Sequence, residues 1–306
     1  MEGSICFPHL GITLTNVVKS FQIGGLTIAC YGIVLAAAMM TGLFLVMKLA
    51  KATGQKEDDY FDLGIIAIAV AVVCARIYYV VFSWDYYSSH LAEIFNLRKG
   101  GLAIYGGVIG GVATVLVYCH IRGFYTRRML DTMSVGLVWG QALGRWGNFF
   151  NREAFGEYTD NLFAMRLPVS DVRASEITEM MRAHIQTING VDYIQVHPTF
   201  LYESLWNLGV LAVLLLVTWR KQSRIRSGSC LEGEDDGVVF LLYLLLYGLG
   251  RFWIEGLRTD QLILFGTGLP VSQVLSGILA AVSAILLICW QVRKKRNGKQ
   301  VKRGGY

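Results

Sequence analysis

The stretch MSVGLVWGQALGRWGNFFNRE, residues 133–153, begins as an apolar run fit for a lipid bilayer and then carries Arg145 before it ends. A guanidinium at membrane depth costs several kcal/mol unless a partner or the interface relieves it. Reading this stretch as a membrane span therefore decides the fold and also demands an explanation for Arg145. The rest of the chain supports the span. Of 306 residues, 54% are hydrophobic and 16% charged, with mean hydropathy +0.47, which excludes a soluble domain with a polar exterior.

Apolar windows of about 17 to 25 residues, enough for a helix to cross a bilayer, fall near residues 26–47, 62–82, 102–120, 131–150, 200–219, 237–255 and 271–290. The expected fold is all-α, a polytopic integral membrane protein with seven transmembrane helices. Gly and Gln weaken the hydropathy of the fourth. The basic segments 48–56, IRGFYTRR, WRKQSRIRSGS and the tail RKKRNGKQVKR alternate strictly with the other loops. Cationic loops stay in the cytoplasm, so the N-terminus is expected outside and the C-terminus inside.

The first 25 residues have neither a basic leader nor a small-residue cleavage site, and read as an external amphipathic lead-in, not a signal peptide. Loops are short except residues 151–199, expected to form a small external cap between spans four and five, with a surface helix in DVRASEITEMMRAHIQTI. The chain reads as one integral domain, 1–306, with a cytoplasmic basic tail at 291–306.

The net charge of +6 does not point to nucleic acid. Seven of the 28 Lys and Arg lie in the last fourteen residues, against a membrane exit, which suits anionic lipid. Of six Cys, Cys30, Cys74, Cys119 and Cys289 fall in spans, Cys230 in a cytoplasmic loop and Cys6 outside, so no disulfide framework is expected, and no CxxC offers a metal site.

With that topology, the second, fourth and sixth spans each carry an Arg near the external end: Arg76 in CARIYYVVF, Arg145, and Arg251 in YGLGRFWIEGLRTD. Each lies about 6 to 9 Å below the exit at the helical rise. Arg76 alone reads equally well as a cation snorkelling to lipid phosphate. The other two sit on polar stripes at helical spacing, Arg145 with Asn148 and then Asn151 or Arg152, and Tyr247 with Arg251 and Glu255. Gly136, Gly140 and Gly144, with the pairs Gly106 and Gly110 and Gly107 and Gly111, indicate tight helix packing. GGLAIYGG places Tyr105 among glycines at the same layer, and HPTFLYES places His197 just before the fifth span and Glu203 just inside it. Two forked cations at headgroup level suit a phosphate, which guanidinium holds through paired hydrogen bonds.

The motifs GGLAIYGG, GRWGNFFNRE, HPTFLYES and GLGRFWIEGLRTD, in this order over nearly the whole chain, resemble the prolipoprotein diacylglyceryl transferases. The resemblance implies a multi-pass enzyme of the bacterial cytoplasmic membrane. It would move the diacylglyceryl group of phosphatidylglycerol to the lipobox Cys thiol in the signal peptide of a preprolipoprotein, forming a thioether and releasing glycerol 1-phosphate, with no metal or organic cofactor. By motif match, Arg145, Asn148, Glu153 and Gly156 fall in the family's signature region, Tyr247, Arg251 and Glu255 in its sixth-span set, and Tyr31 in CYG matches a functional tyrosine. Some members carry His where this chain has Tyr105.

On this expectation a thiolate attacks carbon while negative charge grows on the departing phosphate. Arg145 and Arg251 would stabilise that charge more in the transition state than in the ground state. Asn148 and Tyr247 would position lipid, Glu153 and Glu255 would hold the arginines, and Tyr105 would orient the reacting groups. The alternative is a transporter or channel for an anionic phospholipid headgroup, which needs polar residues continuing into the cytoplasmic half, where the spans are almost wholly apolar.

Overall fold

A computed structural model describes residues 4–97, 100–264 and 268–303, with side chains up to 296. Residues 304–306 of the expected basic tail, and its side chains beyond 296, lie outside the described residues. Seven long helices dominate: α1 (Cys30–Ala52), α2 (Glu57–Phe82), then after a short α3 (Trp84–Tyr87) α4 (Ile104–Arg122) and α5 (Thr126–Asn151), and after a short α6 (Glu179–Ala183) α7 (Thr199–Arg226), α8 (Val238–Glu255) and α9 (Val271–Arg303).

Six of these, α1, α2, α4, α7, α8 and the Val271–Arg296 part of α9, are long and apolar enough to cross a membrane. Their outward faces expose Phe44, Ile77, Ile109, Leu205 and Ile285, side chains that a bilayer accepts and water does not. α5 (Thr126–Asn151) contains the expected window, starting five residues before it, and is the long helix that is not apolar enough to be counted with those six. It is sheltered because it packs against α1, α7 and α8. Its glycines explain part of that fit: a Cβ on Gly136 would lie 2.8 Å from the Gly42 carbonyl oxygen of α1, whereas Gly144 has open space. On α4 only the Gly106 and Gly110 row meets α2 closely, at Cys74 and Tyr78.

The helix ends form two layers. One gathers Tyr31, Arg145, Glu203 and Arg251. The opposite one gathers Asp131, Lys221, Asp236 and Lys294, where Asp131 of α5 accepts Gly237 N–H and Phe240 N–H at 2.9 Å each and so satisfies the exposed donors at the start of α8. A cavity of about 260 Å³ opens in this second layer, lined by Gln55, Arg128, Asp131, Lys221 and Asp236. Its charges are paired with one another, Lys221 with Asp131 and Asp236, and Arg128 with Asp236.

The segment expected as a cap with a surface helix is built differently. Strands β1 (Ile5–Phe7) and β2 (Ile12–Leu14) from the N-terminal lead-in join β5 (Met165–Pro168), β6 (Gln186–Ile188) and β7 (Val191–Val196) in one antiparallel sheet ordered β2-β1-β5-β7-β6. β3 (Ser20–Ile23) and β4 (Leu26–Ala29) form a separate hairpin where the first span was expected to begin, and α1 starts only at Cys30. The amphipathic stretch supplies the five-residue α6 and then turns into β6. The reason is tertiary: Ile5, Phe7, Met165, Leu167, Ile194 and Val196 bury against Phe149 of α5 and Phe200 of α7. That apolar cluster fixes the sheet to the helix ends that carry Arg145 and Glu203.

Candidate functional site

Glu203 is the centre of the first layer. It lies one turn inside α7 and is 4% exposed, a position where an unpaired carboxylate would be strongly disfavoured. Its Oε2 sits 2.6 Å from Arg145 Nε, and its Oε1 accepts from Arg251 Nη1 at 2.8 Å. Arg258 Nη1, beyond the end of α8, is 3.8 Å from the same Oε1. Three guanidinium groups from two helices and a loop thus share one buried carboxylate.

Each cation has a second anchor. Arg251 Nη2 lies 2.5 Å from Glu255 Oε2, one helical turn on, as the i, i+4 spacing dictates. Arg258 forks onto Asp260 through Nε at 2.9 Å and Nη2 at 2.7 Å. Burial works to raise the Asp260 carboxyl, and the Arg258 hydrogen bond and charge outweigh it, holding the group below the usual carboxylate range. Arg145 Nη1 reaches Asn148 Oδ1 at 3.4 Å. Arg145, Arg251 and Arg258 face Glu203, Glu255 and Asp260, so the cluster is balanced internally, and Arg145 is its most accessible cation.

Glu153, expected to hold an arginine directly, acts through amides. It accepts from Asn148 Nδ2 at 3.0 Å and Asn151 Nδ2 at 3.2 Å, and Arg173 of the sheet region lies 3.8 Å away. The relay Glu153 to Asn148 to Arg145 fixes the asparagine amide and turns its oxygen toward the guanidinium. Glu153 stands between two non-glycine residues in left-handed conformation, Arg152 at φ +54° and Ala154 at φ +58°. Such backbone costs about 1 to 2 kcal/mol per residue, and is held here by Arg152 pairing with Asp171 at 3.0 Å, by its hydrogen bonds to the Phe150 and Val17 carbonyls, and by Thr199 donating to the Ala154 carbonyl. Strain over-determined in this way is concentrated at functional turns.

Glycines bring two further residues in. A Cβ on Gly147 would lie 2.5 Å from the Tyr31 ring, so that glycine lets α1 set Tyr31 beside Arg145 and Glu153, whose charges it feels. A Cβ on Gly156 would lie 2.7 Å from the Leu257 oxygen and 2.8 Å from His197 Cβ. Gly156 N–H donates to the His197 carbonyl at 3.0 Å, and Gly156 bridges to Arg258, so this glycine seals the turn after α5 against the turn after α8.

The remaining candidates fall outside the ion cluster. His197 contacts Asn161 Nδ2 at 3.4 Å and the Tyr202 hydroxyl at 3.3 Å through Nδ1; burial pushes its imidazole below the ordinary range, with Glu157 partly offsetting. Tyr247 stacks on Tyr243, 5.7 Å between ring centres, which in turn accepts from Gln141 at 2.9 Å. Tyr105, on the first turn of α4, is half-buried with its ring 6.5 Å from that of Tyr78; no hydrogen bond or ion pair joins it to the arginines among the described residues.

Arg76 does not snorkel. It is buried, and its donors go to backbone carbonyls: Nε to Ile94 at 2.7 Å, Nη2 to Glu93 at 2.6 Å and Asn96 at 3.4 Å, Nη1 to Gly100 at 2.8 Å and Gly101 at 2.9 Å. Its planar fork organises the segment that leads into Tyr105, and Tyr87 packs on its face at 5.2 Å. Arg258 is the member of the cluster that sequence reasoning missed. Its signal was available, three residues after Glu255 and two before Asp260 in EGLRTD.

The model of the prolipoprotein diacylglyceryl transferase family matches residues 19–290 of the chain. Among similar proteins, the phosphatidylglycerol--prolipoprotein diacylglyceryl transferase of Clostridioides difficile (strain 630) is 40% identical over 278 residues, covering 91% of this chain and 96% of that one. The proteins of the same name from Bacillus velezensis and Geobacillus kaustophilus are each 39% identical, over 88% and 90% of this chain and 90% and 92% of their own.

Proposed function

The chain belongs to the prolipoprotein diacylglyceryl transferase family, and from that membership we propose that it transfers the diacylglyceryl group of phosphatidylglycerol to the lipobox cysteine of a preprolipoprotein. The observation that carries the site assignment is Glu203 bridging Arg145 and Arg251. A phosphate approaching this layer meets Arg145 first, the most accessible of the three guanidinium groups, and competes with Glu203 for the guanidinium planes.

In the reaction the thiolate sulfur forms a bond to glycerol carbon while the carbon–oxygen bond to phosphate breaks, and the electron pair leaves with glycerol 1-phosphate. Charge then accumulates where Arg145 and Arg251 are already oriented, so little reorganisation accompanies the step. Glu203, Glu255, Asn148 and Glu153 are positioning residues that fix the two guanidinium planes. Tyr31 and Tyr247 border the lipid, and the Tyr105 hydroxyl orients the phosphate or thiol.

This reading includes α5 as a seventh span, shielded by α1, α7 and α8, and a bacterial cytoplasmic membrane with the N-terminus and the sheet outside. It is supported by the alternation of basic loops. The names of the relatives give the transport reading no support. The test is incubation of the purified protein with phosphatidylglycerol and a lipobox peptide, followed by mass spectrometry. A diacylglyceryl gain on the Cys peptide, with release of glycerol 1-phosphate and no gain on a Cys→Ser peptide, is expected; no adduct on the Cys peptide would overturn the assignment.

A further inference from the structure

The β3–β4 hairpin is a ribbon with no third strand among the described residues. Its register pairs Phe21 with Ile28 and Ile23 with Leu26, and pairs Ser20 with Ala29 and Gln22 with Thr27. Directly paired residues share a face, and so do residues two apart. One face therefore carries Phe21, Ile23, Leu26 and Ile28, and the other Ser20, Gln22, Thr27 and Ala29. The apolar face is uncovered toward its tip, with Ile23 60% and Leu26 51% exposed, Phe21 38% exposed, and Ile28 at the base partly buried. From Ser20 to Ala29 there is no charged residue, and the tip is Gly24 and Gly25, both at positive φ.

A two-stranded ribbon is marginal in water by itself, so this one needs something to cover its apolar face. Its base is fixed where the first span begins: Cys30 N–H, the first residue of α1, donates to the Lys19 carbonyl at 2.9 Å, and Lys19 Nζ donates to the Asp171 carbonyl at 2.7 Å. The hairpin is thus continuous with a membrane-spanning helix and extends about 13 Å from it, four residues at the strand rise. Each strand keeps one edge unpaired, and unpaired backbone groups are too costly for the hydrocarbon interior. The depth that satisfies both the apolar face and the open edges is the headgroup boundary, where amphipathic elements lie flat.

We propose that the β3–β4 hairpin is a lipid-docking surface: it lies on the bilayer at the end of the molecule that carries Arg145, with Phe21, Ile23, Leu26 and Ile28 against the upper acyl chains and Gln22 and Thr27 toward water. The surface is independent of the transfer reaction and would stand if that assignment failed. It also sets the ribbon beside the layer in which Tyr31, on the first turn of α1, meets α5.

The test uses the full chain reconstituted in vesicles of phosphatidylcholine and phosphatidylglycerol, with the photoreactive p-benzoylphenylalanine replacing Ile23 in one variant and Gln22 in another. Illumination without peptide should give a lipid adduct at position 23, found by mass spectrometry, at least several-fold more abundant than at position 22. Equal yields at both positions, or no lipid adduct at 23, would overturn the proposal. An adduct at 23 only to an added lipobox peptide would overturn it too, by making the ribbon a peptide surface. A thermal melt of both variants that matches the unsubstituted protein shows that the adducts report the folded protein.

Discussion

Glu203 Oε2 lies 2.6 Å from Arg145 Nε, which joins a buried carboxylate at the start of α7 to the guanidinium near the end of α5. Because the same carboxylate also holds Arg251, its removal leaves two partly buried cations without their shared counter-charge. Breaking a buried pair from one side costs about 3 to 5 kcal/mol. Glu203→Ala should therefore lower thermal stability in detergent and reduce turnover together, while Glu203→Gln, which keeps an acceptor, should fall between it and the wild type. Wild-type turnover in Glu203→Ala would remove the hub from the mechanism.

Arg145→Lys and Arg251→Lys should each lose about 10²- to 10³-fold in kcat, the range for a preorganised donor to a developing oxyanion. An ammonium keeps the charge but cannot span Glu203 and Asn148, or Glu203 and Glu255, in one plane. Steady-state kinetics with phosphatidylglycerol and peptide decides this, and full kcat in either variant would count against the phosphate clamp.

Arg76→Lys should be damaging for a different reason. Five carbonyls from residues 93–101 depend on the guanidinium fork, and an ammonium reaches at most three acceptors from one point. With about 1.5 kcal/mol or more for each charge-assisted bond lost, thermal unfolding should shift down by several degrees. An unchanged melting curve would restore the snorkelling account.

Gly156→Ala should impair activity without touching any ionisable group. The added methyl meets the Leu257 backbone and His197 Cβ below 3 Å, and separating them costs about 1 to 3 kcal/mol. Since Arg258 bridges to Gly156, the shift reaches the Glu203 cluster directly. Turnover measured beside a conformational melt separates this local effect from global unfolding.

His197 gives a pH dependence of stability. Burial lowers its folded pKa beneath the ordinary value of about 6.5, so the unfolded chain binds the proton more readily as pH falls through that value. Stability should decline below about pH 6.5 and stop declining on this account once the folded group also titrates. His197→Gln should reduce the drop in melting temperature between pH 7.5 and pH 5.5; an unchanged drop would assign the acid sensitivity to other groups.

Much was legible from residues alone. The apolar windows matched six helices that can cross a membrane and located α5, because a bilayer-length apolar run has few other uses and its period survives without neighbours. The motifs also identified most of the residues around the ion cluster, since Arg, Asn and Glu in apolar surroundings are too costly to be incidental. What the chain order could not reveal was partnership. Glu203 as the shared acceptor, Glu153 acting through Asn148, and Arg76 serving carbonyls seventeen and more residues away depend on side-chain directions across different helices. The sheet was hidden for the same reason: β1 and β5 are three- and four-residue strands separated by more than 150 positions, too short for a periodic signal. Local hydropathy therefore determined which segments enter the membrane. Only tertiary packing, by bringing α5, α7 and α8 together at one end, decided which charge answers which.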